Sequence, residues 1–65
     1  MKIIINGEEK QMDAKTIAEL IAALGYEGDY FAVARNMACV SRGEYANTPI
    51  AENDKIEILM PMQGG

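Results

Sequence analysis

TIAELIAALG, residues 16–25, carries the signals for both ends of a helix. Thr16 and Glu19 stand three apart, the spacing of a capping box, in which two otherwise orphaned backbone donors are satisfied reciprocally. Ile17, Leu20, Ile21 and Leu24 fall at i, i+3, i+4 and i+7, which places them on one apolar stripe. The alanines between them are good helix formers, and Gly25 sits where a left-handed residue ends a helix. One helix over roughly residues 16–24 is predicted, with a single face to bury.

The flanking sequence supplies what that face packs against. MKIIIN, residues 1–6, is rich in β-branched side chains and reads as a strand. Asn6-Gly7 is a strong hairpin signal, because both residues tolerate positive φ. EEKQM, residues 8–12, then returns as a short polar strand. Beyond the helix, YFAVARN (30–36) alternates bulky and small residues and reads as a third strand. MACVSRGEY (37–45) opens with an apolar piece and breaks at Ser41 and Gly43, NTPI (47–50) reads as loop and ENDK (52–55) as turn. KIEILM (55–60) is a last strand that Pro61 terminates.

Hairpin, helix, then two or three strands describe an α+β, two-layer domain. A ferredoxin-like fold needs a second helix, which this chain lacks. The arrangement that pairs first and last strands centrally under one helix is the β-grasp, here with a mixed sheet of four to five strands. Its expected core is Met1, Ile3, Ile5, Ile17, Leu20, Ile21, Leu24, Val33, Ile56 and Ile58, with the last strand parallel to the first. Residues 1–60 are expected to form this domain and residues 61–65 a flexible tail.

Composition narrows the chemistry. Sixty-five residues make one domain, and a chain this short buries only about 60% of its unfolded surface. There is one cysteine, Cys39, and no histidine, so neither an internal disulfide nor a His/Cys zinc site can form. Catalysis by a histidine base is excluded as well. No Gly-rich loop opens a helix to cradle phosphate. Ten carboxylates against six basic residues give a formal charge of −4, which disfavours nucleic acid and suits docking onto a basic groove. No apolar run is long enough for a signal peptide or a bilayer span, so a soluble cytoplasmic protein, monomeric on its own, is expected.

The individual polar candidates read as structural. Glu8, Glu9, Glu27, Asp29 and Glu52 lie in turns or on solvent faces, where charged residues are ordinarily found. Asp54, in the turn before the last strand, is expected to bond locally to backbone. Cys39 lies in an apolar run and is expected in the core, as free cysteine commonly is. Met1 and Met12 read as core or strand-end fillers, and metal binding is not expected.

One reactive group remains. The sequence ends PMQGG, residues 61–65, so the terminal carboxylate sits on Gly65, next to Gly64 and beyond Met62 and Gln63. An enzyme that activates a carboxylate must enclose it in a narrow channel. Glycines let the backbone enter such a channel and adopt the torsions it demands. The tail reads as a substrate and the rest of the chain as the handle that delivers it.

MKIIINGE, TIAELIAALG, AVARN, CVSRGEY and NDKIEILMPMQGG together resemble the ThiS family, the ubiquitin-like β-grasp sulfur carriers of thiamine biosynthesis. The likeness covers essentially the whole chain and includes the terminal Gly64-Gly65. Of the family's Val-Pro-Arg and following aromatic, Val40, Arg42 and Tyr45 match, while Ser41 departs from proline. The resemblance implies a non-enzymatic carrier whose Gly65 carboxylate is adenylated by a partner adenylyltransferase using ATP and magnesium. A persulfide donor then makes it a thiocarboxylate, which gives its sulfur to thiazole synthase. The chain itself would bind no cofactor. Three alternatives stand beside this one: the small molybdopterin synthase subunit, a ubiquitin-like modifier joined to lysines, and a β-grasp binding module that ignores the tail. The small molybdopterin subunit is usually somewhat longer and lacks the Val-x-Arg-x-x-aromatic stretch. On the carrier reading, strand alternation turns Ala32, Ala34 and Leu59 outward beside the tail, as a docking patch for the adenylating enzyme.

Overall fold

The computed structural model describes residues 1–26 and 31–60. Glu27, Asp29 and the tail 61–65 lie outside the described residues. The elements run β1 (Lys2–Ile5), β2 (Glu8–Gln11), α1 (Ile17–Leu24), β3 (Ala32–Arg35), β4 (Ala38–Val40), a 3₁₀ segment (Arg42–Asn47) and β5 (Lys55–Leu59). The sheet is five-stranded in the order β2-β1-β5-β3-β4. β1 and β5 are parallel, with Ile5 opposite Ile56, and the other neighbours are antiparallel. This is the β-grasp, and its last strand lies parallel to its first.

The helix ends where its sequence signals lie. Thr16 is extended, and its Oγ1 accepts from the Glu19 N–H at 3.2 Å. Glu19 Oε1 returns the bond to the N–H of Lys15, at 2.9 Å, one residue before the cap. Gly25 adopts φ 85°, and the N–H groups of Gly25 and Tyr26 donate to the carbonyls of Ala22 and Ile21. That pair of bonds closes the helix as a Schellman motif.

Ile17, Leu20 and Ile21 of α1 are buried against Ile3, Ile5, Val33, Ile56 and Ile58 from the sheet. Met1 and Leu24 are only partly buried and line the margin of this core, along with Met12. Ala14 and Ile50 are buried although no periodicity marks them. Their burial follows from tertiary pairing. Ile50 N–H donates to the Lys15 carbonyl and Ile17 N–H to the Thr48 carbonyl, both at 3.0 Å, which draws the NTPI loop against the start of the helix.

Two corrections concern the middle of the chain. Asn36 and Met37 form a second hairpin turn, with φ 51° and 73°, so Met37 is its exposed tip and not the start of an apolar piece. The resulting register sets Val33 opposite Val40 and Ala34 opposite Cys39. Val33 is buried, so strand alternation turns Cys39 to the other face. The thiol is exposed, not in the core.

Candidate functional site: the outgoing end of the last strand

β5 alternates strictly. Ile56 and Ile58 are buried, while Lys55, Glu57 and Leu59 face out. Because α1 covers one face only, these outward residues lie on the open face of the sheet. Leu59 is 64% exposed and Met60 57%, an apolar step at the point where residues 61–65 begin. Ala32 is exposed and sits directly opposite Leu59. Ala34 is half-buried and lies opposite Glu57 on one side and Cys39 on the other. Ala32 and Leu59 therefore form a pair beside the outgoing chain. Ala34 lies two residues further along the same face, diagonal to Leu59.

Both ends of β5 are held by asparagine side chains. At the outgoing end, Ile58 N–H donates to Asn6 Oδ1 at 2.8 Å and Asn6 Nδ2 donates to the Ile58 carbonyl at 3.3 Å. At the incoming end, Lys55 N–H donates to Asn36 Oδ1 at 2.9 Å and Asn36 Nδ2 donates to Asp54 Oδ1 at 3.0 Å. Each asparagine occupies the first positive-φ position of a hairpin turn, which asparagine tolerates well. Sequence reading found the Asn6 turn but neither clamp, since each contact crosses many residues.

Asp54 is buried and accepts three bonds. Ala51 N–H and Arg35 Nε reach Oδ2, at 2.8 and 2.7 Å, and Asn36 reaches Oδ1. The Ala51 bond is the local one that the sequence suggests; the Arg35 ion pair is tertiary. Burial pushes the Asp54 carboxyl up, but the three donors and the Arg35 charge outweigh it and hold the group below its ordinary 3.8. Tyr45, at the family's aromatic position, packs against Phe31 with ring centroids 6.2 Å apart, and Phe31 in turn meets Tyr26 at 5.4 Å. Among the described residues, no three His, Cys, Asp or Glu side chains gather as a metal site would need. No described helix is long and apolar enough to cross a membrane.

The family model described as the ThiS family matches residues 3–65. The chain belongs to the ThiS family. It is 31% identical over 61 residues to the sulfur carrier protein ThiS of Thermus thermophilus, covering 94% of this chain and 95% of that one. It is also 38% identical over 66 residues to a thiazole synthase of Paramagnetospirillum magneticum, covering all of this chain and 20% of that protein. The chain thus spans about a fifth of the length of the curated thiazole synthases it matches. Among solved structures, the crystal structure of the thiamine biosynthesis protein ThiS from Geobacter metallireducens superposes with a TM-score of 0.85 at 28% identity, each chain covered completely. The ThiS match extends through Gly64 and Gly65, where the sequence reading places the chemistry.

Proposed function

We propose that this ThiS-family chain is the sulfur carrier for thiazole assembly in thiamine biosynthesis, acting through the Gly65 carboxylate. The observation that carries the reading is the family match, which runs through both tail glycines. Residues 1–60 serve as the handle and residues 61–65 as the substrate segment. The chain performs no catalysis of its own. A partner adenylyltransferase holding ATP and magnesium joins a Gly65 carboxylate oxygen to the α-phosphorus and releases pyrophosphate. The terminal sulfur of a persulfide donor then attacks the acyl carbon and expels AMP. Thiol cleavage of the resulting S–S bond leaves the thiocarboxylate. The similarity of the whole chain to part of a thiazole synthase supports that enzyme as the acceptor of the sulfur.

Outside the tail, the reading asks the handle to stay soluble and monomeric. The β2 edge supports this: all four of its residues are exposed, and Lys10–Glu8 and Lys2–Glu9 pair across 3.7 and 3.9 Å. Charged edge strands resist pairing with another sheet. The reading places the protein in the cytoplasm, where a reducing environment keeps the lone thiol unpaired.

Intact mass after incubation with the adenylating enzyme, ATP and a persulfide donor is the direct test. One oxygen of the chain should be replaced by sulfur. An isopeptide conjugate to another protein would point instead to a modifier, and sulfur passed to a pterin to the molybdopterin pathway. One alanine added after Gly65 moves the carboxylate about 3.3–3.6 Å along an extended chain. Displacing a reacting group by about 1 Å can cost on the order of a hundredfold in rate. ATP–pyrophosphate exchange should therefore collapse for the extended chain and for Gly64→Val, whose branched side chain obstructs a narrow channel. Normal thiocarboxylate formation on the extended chain would refute the carrier reading.

A further inference from the structure

The parallel ladder between β1 and β5 stops before β5 does. Its last register pair is Ile5 opposite Ile56, and the Asn6 N–H still donates to the Ile56 carbonyl at 2.9 Å. At Asn6 and Gly7 the chain then turns away, with φ 50° and 85°. β5 continues to Leu59. Ile58 is only 3% exposed, and both of its backbone groups point to the side that β1 has vacated. A primary amide presents one donor and one acceptor side by side, like a peptide unit. The Asn6 side chain occupies that place and pairs with both groups of Ile58 across 52 positions of sequence. It extends the ladder by one residue pair after the β1 backbone has left.

We propose that Asn6 is a positioning residue for the carrier reaction, fixing the point from which the chain departs the sheet. This rests on the carrier reading above. Without the amide, the part-buried N–H and C=O of Ile58 lose the partners that hold this end of the strand on the β1 side, and the strand end loosens there. Leu59 would then be held only from the β3 side, through its pairing with Ala32. Ile58 stays packed in the core, so the release falls on Leu59 and adds one residue to those that the adenylating enzyme must order on binding. Ordering a residue's backbone costs on the order of a tenfold factor in an equilibrium constant. An ordering cost met on binding appears in KM and leaves kcat unchanged.

Asn36 supplies a matched control at the far end of the same strand. It too sits in a hairpin turn at positive φ and makes two side-chain hydrogen bonds, to Lys55 N–H and Asp54 Oδ1. Glycine at either position keeps the turn accessible while removing the amide. Amide hydrogen exchange of the whole chain should show that Asn6→Gly loses protection at Ile58 and keeps it in α1. In ATP–pyrophosphate exchange, its KM should rise roughly tenfold at unchanged kcat. Asn36→Gly should lower the melting temperature but leave KM alone. Retained protection at Ile58 in Asn6→Gly, a wild-type KM despite lost protection, or an equal KM rise in Asn36→Gly would each overturn the proposal. Absence of any exchange with the wild-type chain would overturn the carrier reading and the kinetic role of Asn6 with it. The exchange protection of Ile58 would still report separately whether the clamp exists.

Discussion

Arg35 donates from Nε to Asp54 Oδ2 at 2.7 Å, joining the end of β3 to the turn that launches β5. The same oxygen accepts from Ala51 N–H, and Oδ1 accepts from Asn36. Every partner of this carboxylate is a donor, so the site requires acceptors on both oxygens.

Asp54→Asn should therefore destabilise the fold by about 2 kcal/mol, because its NH₂ must face a donor whichever way the amide turns. The wild type should also show a defined acid dependence. The folded carboxyl lies below its ordinary value of 3.8, so the unfolded chain takes up the proton first. The stability from this site is complete above the ordinary value and is lost as pH falls through it toward the lower folded value. Urea titrations across that window should show a shallower pH slope for Asp54→Asn. Parallel slopes would place the acid sensitivity elsewhere.

Met37 is 92% exposed at φ 73°, a conformation that costs a residue with a Cβ about 1–2 kcal/mol. Nothing is lost from the core when it is replaced. Allowing for the greater unfolded-state freedom of glycine, Met37→Gly should stabilise the protein by about 0.5–1 kcal/mol. For a domain of this size that is roughly 2–8 °C in melting temperature. A lower melting temperature would show that the methionine makes a contact of its own.

Cys39 faces outward opposite Ala34. It borders a depression of about 300 Å³ whose lining also includes Arg35, and that guanidinium is engaged by Asp54. A thiol reagent should label the native protein at one equivalent without denaturant. Cys39→Ser should change stability by no more than about 0.5 kcal/mol, as exposed substitutions generally do. Thiocarboxylate formation on Gly65 should persist in this variant. Its loss with the fold intact would move the chemistry to the thiol.

Leu59 stands beside Ala32 on the open face, where a charge meets no core contact. Leu59→Asp should keep the wild-type melting temperature to within a few degrees. Its affinity for the adenylating enzyme, measured by titration calorimetry, should fall roughly tenfold or more if the pair is a buried anchor of that interface. Unchanged affinity would remove Ala32 and Leu59 from the docking surface.

Local signals carried the elements because each depends on residues within a turn or two. Thr16 and Glu19 cap a helix wherever they meet at that spacing, and Gly25 ends it because its backbone accepts positive φ. Asn6-Gly7 turns a hairpin for the same reason, and the alternation of KIEIL identifies a strand with one buried face. From those pieces the β-grasp followed. The tail glycines were legible as a motif, and the likeness to the ThiS family rested on stretches spread along the whole chain.

What the sequence could not supply was register. Cys39 and Val40 are both plausible core residues, and only the pairing of Val33 with Val40 decides which one faces water. That pairing depends on a turn at Asn36 and Met37, where the second residue is not the glycine that announces such turns. Ile50 is buried because a loop is drawn against the helix start, which no periodicity encodes. The clamps on β5 join Asn6 to Ile58 and Asn36 to Lys55, across 52 and 19 positions. A side-chain amide has no preferred distant partner until the sheet order brings one within hydrogen-bond reach, so these contacts belong to the tertiary structure alone.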